Sequence, residues 1–266
     1  MNFKRIELIF FLAFIALDIF LFVSYMQKDD IVVSTTNSTT EDSTTSVLKS
    51  IRNDQISYGS LSDKKSEGFY ISSPQKDTLK EKTSTLQGQS WSYDDHKLTA
   101  AFENSIKLKD DSKPQETLNA VVKDSTKIIA GQQYVYDRGL STKNMVVYTQ
   151  VVKGGYPVYT ADGQIRFTTR NGYVTGYTQG LLENVETLHE KRPIISQKRA
   201  LIWLYQYNKL VSNSSVQWVR LGYTRLLSVN NSHVYIPTWM IAVKSNSTGN
   251  IQYRRINAFT GATMDD

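Results

Sequence analysis

The chain has 266 residues, a formal net charge of +6 and no cysteine. That excludes disulfides, a thiolate metal site and a cysteine nucleophile. The excess positive charge suits anionic lipid headgroups or wall polymers if the domain lies outside a cell, and equally a solvated surface that keeps it soluble.

Residues 8–26 form an apolar run in which only Asp18 and Ser24 are clearly polar. At about 1.5 Å rise per residue, a helix of that length approaches the roughly 30 Å of a hydrocarbon core. A cleavable signal peptide has a shorter apolar run and small residues at its end, whereas this one closes on Ser24, Tyr25, Met26 and Gln27. The spacing predicts an uncleaved transmembrane helix over 6–27. Lys4 and Arg5 lie before it, and Lys28 is followed by Asp29 and Asp30. The positive-inside bias then puts residues 1–5 in the cytoplasm and the rest of the chain outside. A large outer domain without disulfides leans toward a Gram-positive surface. Asn37, Asn213, Asn230 and Asn246 begin N-x-S/T triplets, which matter only in a glycosylating host.

Residues 28–46 are rich in Ser and Thr and hold little that can pack, so they read as a flexible tether. About 220 residues follow, enough for one large domain or two smaller ones. Between 47 and 112 the pattern is weak, with strand-like pieces at Gly68-Phe69-Tyr70-Ile71 and Leu98-Thr99-Ala100-Ala101-Phe102. Pro114 begins a helix whose apolar face is Leu118, Val121, Val122, Ile128 and Ile129, with Gly131 as the stop. Strands follow at 145–152, 156–160, 164–169 and 173–182. They are separated by Gly154-Gly155, Asp162-Gly163 and Asn171-Gly172, the last two being strong hairpin signals.

The pattern then recurs. Ser196 caps a second helix with Ala200, Trp203, Leu204, Tyr207 and Val211 on its apolar face, and strands follow at 216–229, 234–243 and 251–259. The expectation is an α+β fold in which an N-terminal transmembrane helix precedes two tandem helix-on-antiparallel-sheet modules, over 47–185 and 186–266.

Chemistry is sparse. His96, His189 and His233 are far apart and differ in context, and no HExxH, GxSxG or glycine-rich phosphate loop is present. Glu183, Glu186 and Glu190 with His189 can be drawn as an acid/base cluster, but a solvated loop before Pro193 is the simpler reading. The sixteen tyrosines suggest a glycan platform or, more simply, good strand formers. No catalytic, cofactor or metal site is expected.

The opening Lys4-Arg5-Ile6-Glu7, with Ile9-Phe10, Phe14 and Leu17-Asp18-Ile19-Phe20-Leu21, resembles the start of the YycI family of Firmicutes. Tyr148-Thr149-Gln150-Val151-Val152-Lys153-Gly154-Gly155-Tyr156-Pro157-Val158-Tyr159 looks like that family's "gyPVf" element. The closing Ile256-Asn257-Ala258-Phe259-Thr260-Gly261 is similar to the end of PepSY-like modules. Residues 54–113 match nothing in that pattern. The resemblance implies a bitopic, non-catalytic regulator of cell-wall metabolism with PepSY/cystatin-like modules. Its partners would be the sensor histidine kinase WalK (YycG), the sister protein YycH and the membrane, with no nucleic acid. It leaves the sign of regulation open.

On a helix Asp18 shares a stripe with Glu7, Phe11, Phe14, Leu21, Phe22 and Tyr25. Intramembrane carboxylates normally face a protein partner, so this stripe is the expected partner-helix interface, the other possibility being a protonated and idle Asp18. Two further functions stay open. One is an extracytoplasmic sensor of wall fragments, which needs a deep aromatic-lined pocket. The other is a protease-inhibitor-like domain.

Overall fold

The computed structural model describes residues 3–28 and 40–264. Helices α1 (Phe3–Lys28) and α2 (Thr40–Asn53) come first. Strands β1 (Ile56–Ser57) and β2 (Ser66–Pro74) and a short helix α3 (Thr78–Glu81) follow. Next are β3 (Gln89–Asp94), β4 (Lys97–Lys107), α4 (Gln115–Lys123), β5 (Tyr134–Tyr136), β6 (Met145–Val152) and β7 (Tyr156–Pro157). The chain continues through β8 (Gln164–Arg170), β9 (Tyr173–Gln179), β10 (Glu186–Ile194) and α5 (Gln197–Gln206). It ends with β11 (Ser214–Val229), β12 (Ser232–Ser245), β13 (Ile251–Asn257) and β14 (Thr263–Met264).

The α+β expectation holds. Residues 1–50 and 51–266 form two units, and the second contains both sheets. The α4 sheet runs β3-β4-β9-β8-β6-β5, with β7 on the end of β6. Leu118 and Val122 of α4 pack there against Tyr148, Ile165, Phe167 and Tyr177. Removing such side chains from water is worth about 2–3 kcal/mol each. The α5 sheet runs β1-β11-β12-β13-β14, and beneath α5 Ala200, Leu201 and Leu204 meet Val219, Ile241 and Ile256. Along one edge of β12 the partner is β11. The other edge is shared by β13, facing residues 238–244, and β2, facing 232–235. The outer edge of β2 carries β10. Residues 56–74 thus belong to the same sheet as 186–264, so the sheets do not divide the chain at residue 185.

Local details depart from expectation for identifiable reasons. Helix α4 stops at Lys123 because Asp124 Oδ1 accepts from Thr126 N (2.9 Å) and Thr126 Oγ1 (2.7 Å), competing with the helical ladder. Ile128 and Ile129 reach the same core through the following turn. Gly131 passes so close to α4 that a Cβ would sit 1.6 Å from the Val122 carbonyl oxygen. In α5, Ser196 is the N-cap and accepts from Arg199 N at 3.2 Å, as expected. Tyr207 and Val211 fall beyond its end and are exposed, while Leu201 and Ile202 are buried in their place.

Residues 40–46, expected in the tether, belong to α2, which places Leu48 and Ile51 three residues apart on one face; residues 29–39 lie outside the described residues. The expected spanning helix over 6–27 meets α1. Among the described residues, no helix is long and apolar enough to cross a membrane. The apolar side chains described in α1 cover residues 10–23, about 21 Å of helix.

Candidate functional site

Helix α1 exposes apolar side chains around its whole circumference: Phe10, Leu12, Ile15, Leu17, Ile19 and Phe20 are exposed along with the stripe residues. Of the expected interface, Phe11 (61% exposed), Phe14 (64%), Leu21 (54%) and Phe22 (63%) are open, as are Glu7 and Asp18. The side chain of Tyr25 lies outside the described residues.

In the larger unit, the two sheets meet at a seam of Ile71, Val152, Val158, Leu182, Tyr223 and Tyr235. The Gly155-Tyr156-Pro157-Val158-Tyr159 stretch builds much of this joint. Gly155 takes φ +80°, Tyr156 and Pro157 pair with the end of β6, Val158 N donates to Gln150 O (2.9 Å), and Tyr159 N donates across the seam to Tyr223 O (2.8 Å). A buried carboxylate fastens the neighbouring turn: Asp137 Oδ1 accepts from Gly139 N (2.8 Å), Leu140 N (3.2 Å) and Arg220 Nη1 (3.1 Å). The closing motif has a comparable structural task. Asn257 Oδ1 accepts from Phe259 N (2.9 Å), and Gly261, at φ +71°, lies where a Cβ would collide with the ring of Trp203.

Two histidines that look unrelated in sequence line one small cleft between the sheets, with Asp95, Asp162 and Arg225. His96 sits in the β3–β4 turn, 3.2 Å from Asp77 Oδ1. His233 begins β12. Gln75 Nε2 lies 2.7 Å from His233 Nε2, and Ser228 Oγ lies 2.8 Å from Nδ1. An amide nitrogen only donates, so this geometry suits a neutral ring with its proton on Nδ1. Burial holds the His233 pKa below its ordinary value of 6.5; Asp162 and Asp95 oppose that, while Arg225 and His96 reinforce it. The signal was not local: β2–β12 pairing, across more than 150 residues, brings Gln75 to His233.

The acid/base cluster does not assemble. Glu183 accepts from Thr78 Oγ1 (2.5 Å), whereas His189 and Glu190 lie exposed on a bulge of β10. Among the described residues no group of three or more His, Asp or Glu is arranged to hold a metal ion. A groove of about 380 Å³ near α3 is lined by Thr78, Lys82, Gln133, Val151, Leu181 and Glu183 among others, with no aromatic side chain. Tyr148, Tyr177, Tyr223 and Tyr235 are instead buried in the cores, where desolvation raises each phenol's pKa.

No curated protein matches the chain. Among solved structures, an uncharacterized protein from Eubacterium rectale is 12% identical with a TM-score of 0.47, covering 79% of this chain and 90% of that one. The YpeB C-terminal domain of Bacillus megaterium is 19% identical with a TM-score of 0.34, covering 85% and 95%. The model of the YycI protein family matches residues 34–259, most of the folded part, and the chain belongs to that family.

Proposed function

We propose that this chain is a membrane-anchored, non-catalytic regulator of the sensor histidine kinase WalK (YycG), acting with YycH through helix α1 and its outer domain. Family membership supports a role in the YycG/WalK regulatory system. The observation that carries the rest is α1 itself. A helix exposing Phe and Leu on every side has no stable place in water and suits a bilayer or a helical partner. Its flanks, Lys4 and Arg5 before and Asp29 and Asp30 after, favour a cytoplasmic N-terminus and an outer C-terminal domain. Asp18, in the middle, is the group a partner helix would satisfy. Such an interhelical hydrogen bond is worth about 0.6–2 kcal/mol, enough to shift a kinase equilibrium several-fold. The two helix-on-sheet modules serve as PepSY-like scaffolds, and the groove without aromatic residues gives no support to a wall-fragment sensor.

The test is Asp18→Leu in the full chain, read by co-purification with the kinase and YycH and by reporter output. Loss of association together with changed output is expected. Unchanged association and output would leave Asp18 idle and remove the helix from signalling.

A further inference from the structure

The long hairpin of β11 and β12 gives the larger unit two ends, about 50 Å apart along the 16 residues of β11. One end is the Asn230-Asn231 turn. At the other, β1 and β11 start, β12 finishes and β13 begins, with Ile56 paired to Ser214, Ser214 to Ser245 and Lys244 to Ile251. The chain enters the larger unit here: α2 finishes at Asn53, and Asn213 N donates to Asp54 O (2.9 Å). Helix α5 also ends here, where Tyr205 Oη donates to Asp54 Oδ2 (2.7 Å) and Ser214 Oγ to Val211 O (2.6 Å).

The two ends differ in charge. Near the Asn230-Asn231 turn, Arg225 pairs with Asp162 (3.4 Å) and Lys97 with Asp95 (3.6 Å). At the entry end the Asp54 carboxylate is taken by Tyr205, while Arg52 and Lys244 are exposed and meet no carboxylate among the described residues. Arg52 stands over the Tyr58 ring, its guanidinium carbon 5.8 Å from the centroid. Beside them is an open hollow of about 360 Å³, lined also by Gln55, Ile56 and Ser57. Tyr207 (49% exposed), Val211 (53%) and Ile251 (48%) lie open at the same end. Cations, a tyrosine and aliphatic side chains on one surface are a composition that suits the headgroup level of a bilayer.

We propose that the entry end of the α5 module docks on the anionic lipid headgroups of the membrane, a proposal that rests on α1 being its anchor, with a lipid phosphate held by Arg52. Chain path and charge select this occupant. The segment that arrives from α1 joins the larger unit at this end and not at the hairpin turn, and two cations there have no carboxylate to neutralise them. A planar guanidinium takes phosphate oxygens in pairs, and the hollow beside Arg52 has room for a headgroup.

The chain has no cysteine, so single labels can be placed cleanly. The full chain is reconstituted in vesicles containing phosphatidylglycerol and a shallow or deep lipid-borne quencher. An environment-sensitive fluorophore is attached to Val211→Cys, to Val229→Cys beside the hairpin turn, or to Phe14→Cys in α1. Val211 and Val229 are similarly exposed, so this pair compares the two ends. Shallow quenching at residue 211 several-fold above that at residue 229 is expected. Arg52→Glu with Lys244→Glu should reduce it about fivefold or more, as should vesicles of phosphatidylcholine alone. An unchanged thermal midpoint verifies that the doubly substituted chain is folded. Quenching at 211 no greater than at 229, or equal in neutral vesicles, would overturn the proposal, while deep quenching at residue 14 would keep the anchor. A label at 211 that is shielded from water but unquenched by lipid would mean a protein occupant and overturn it too. Absence of quenching at residue 14 would remove the anchor and this proposal with it.

Discussion

The α4 sheet and the α5 sheet solve the same packing problem with different wiring. The first takes β3–β9 from one continuous stretch, with two-residue turns joining β3 to β4 and β8 to β9. The second takes β1 and β2 from before that stretch and β10–β14 from after it. In the continuous sheet most neighbours pair locally, and the longest closure is β4 with β9, from Leu98 to Gln179. The other must close a loop of more than 150 residues before Ile71 meets Tyr235, and loop-closure entropy opposes that step until the seam rewards it.

The largest effect expected from this difference is on excised pieces. Residues 186–264 alone lose β1 and β2, and with β2 the partner of β10 and of one edge of β12. That fragment should show no cooperative thermal transition. Adding residues 51–74 in trans should restore one, visible by circular dichroism. A cooperative transition in the fragment alone would make β2 an accessory to that sheet and undo the contrast.

The same contrast explains what was legible in the sequence. Helix α5 and its Ser196 cap could be read because their signals lie within a few residues. So could the Asn171-Gly172 turn, where both residues take positive φ as a two-residue hairpin requires. Asp162-Gly163 gave the same signal for another reason. It forms a short 3-10 turn, and Gly163 is needed because a Cβ would lie 2.7 Å from Val158 in the seam. Strand β2 was visible as an apolar piece, but its partners were not, since nothing local in Gly68-Phe69-Tyr70-Ile71 specifies β12. The pairing of His96 and His233 in one cleft was hidden by the same long-range step. The candidate stripe on α1 was read from helical spacing alone.

Glycine substitutions sharpen the comparison at a smaller scale. Gly131→Ala in the α4 module drives a Cβ into the Val122 carbonyl, and Gly261→Ala in the α5 module combines positive φ with a clash on Trp203. Each should cost about 3 kcal/mol in urea titrations, at the upper end of overpacked sites because the clashes are with backbone or a partly buried ring. If Gly131→Ala instead falls under about 1 kcal/mol, the C-terminal turn of α4 is able to move away, and that module is the more compliant of the two.

The smallest effect concerns the cleft where the two sheets meet. The groups facing His233 are Gln75 from the end of β2, Ser228 and Arg225 on β11, Asp162 before β8, and His96 with Asp95 in the β3–β4 turn. Because burial lowers the folded-state pKa of His233 below 6.5, the unfolded chain binds this proton more readily than the folded one. Stability is therefore full above the ordinary histidine pKa and declines as pH falls through about 6.5 toward the depressed folded value. Below that value the loss is constant. Protonation also turns Nε2 into a donor facing the Gln75 amide, which must rotate to present its oxygen. His233→Gln keeps a polar side chain in the cleft but removes the proton. Thermal midpoints measured from pH 7.5 to 5 should fall less steeply in that variant than in the natural chain. Parallel slopes would mean that the acid sensitivity of the seam lies elsewhere.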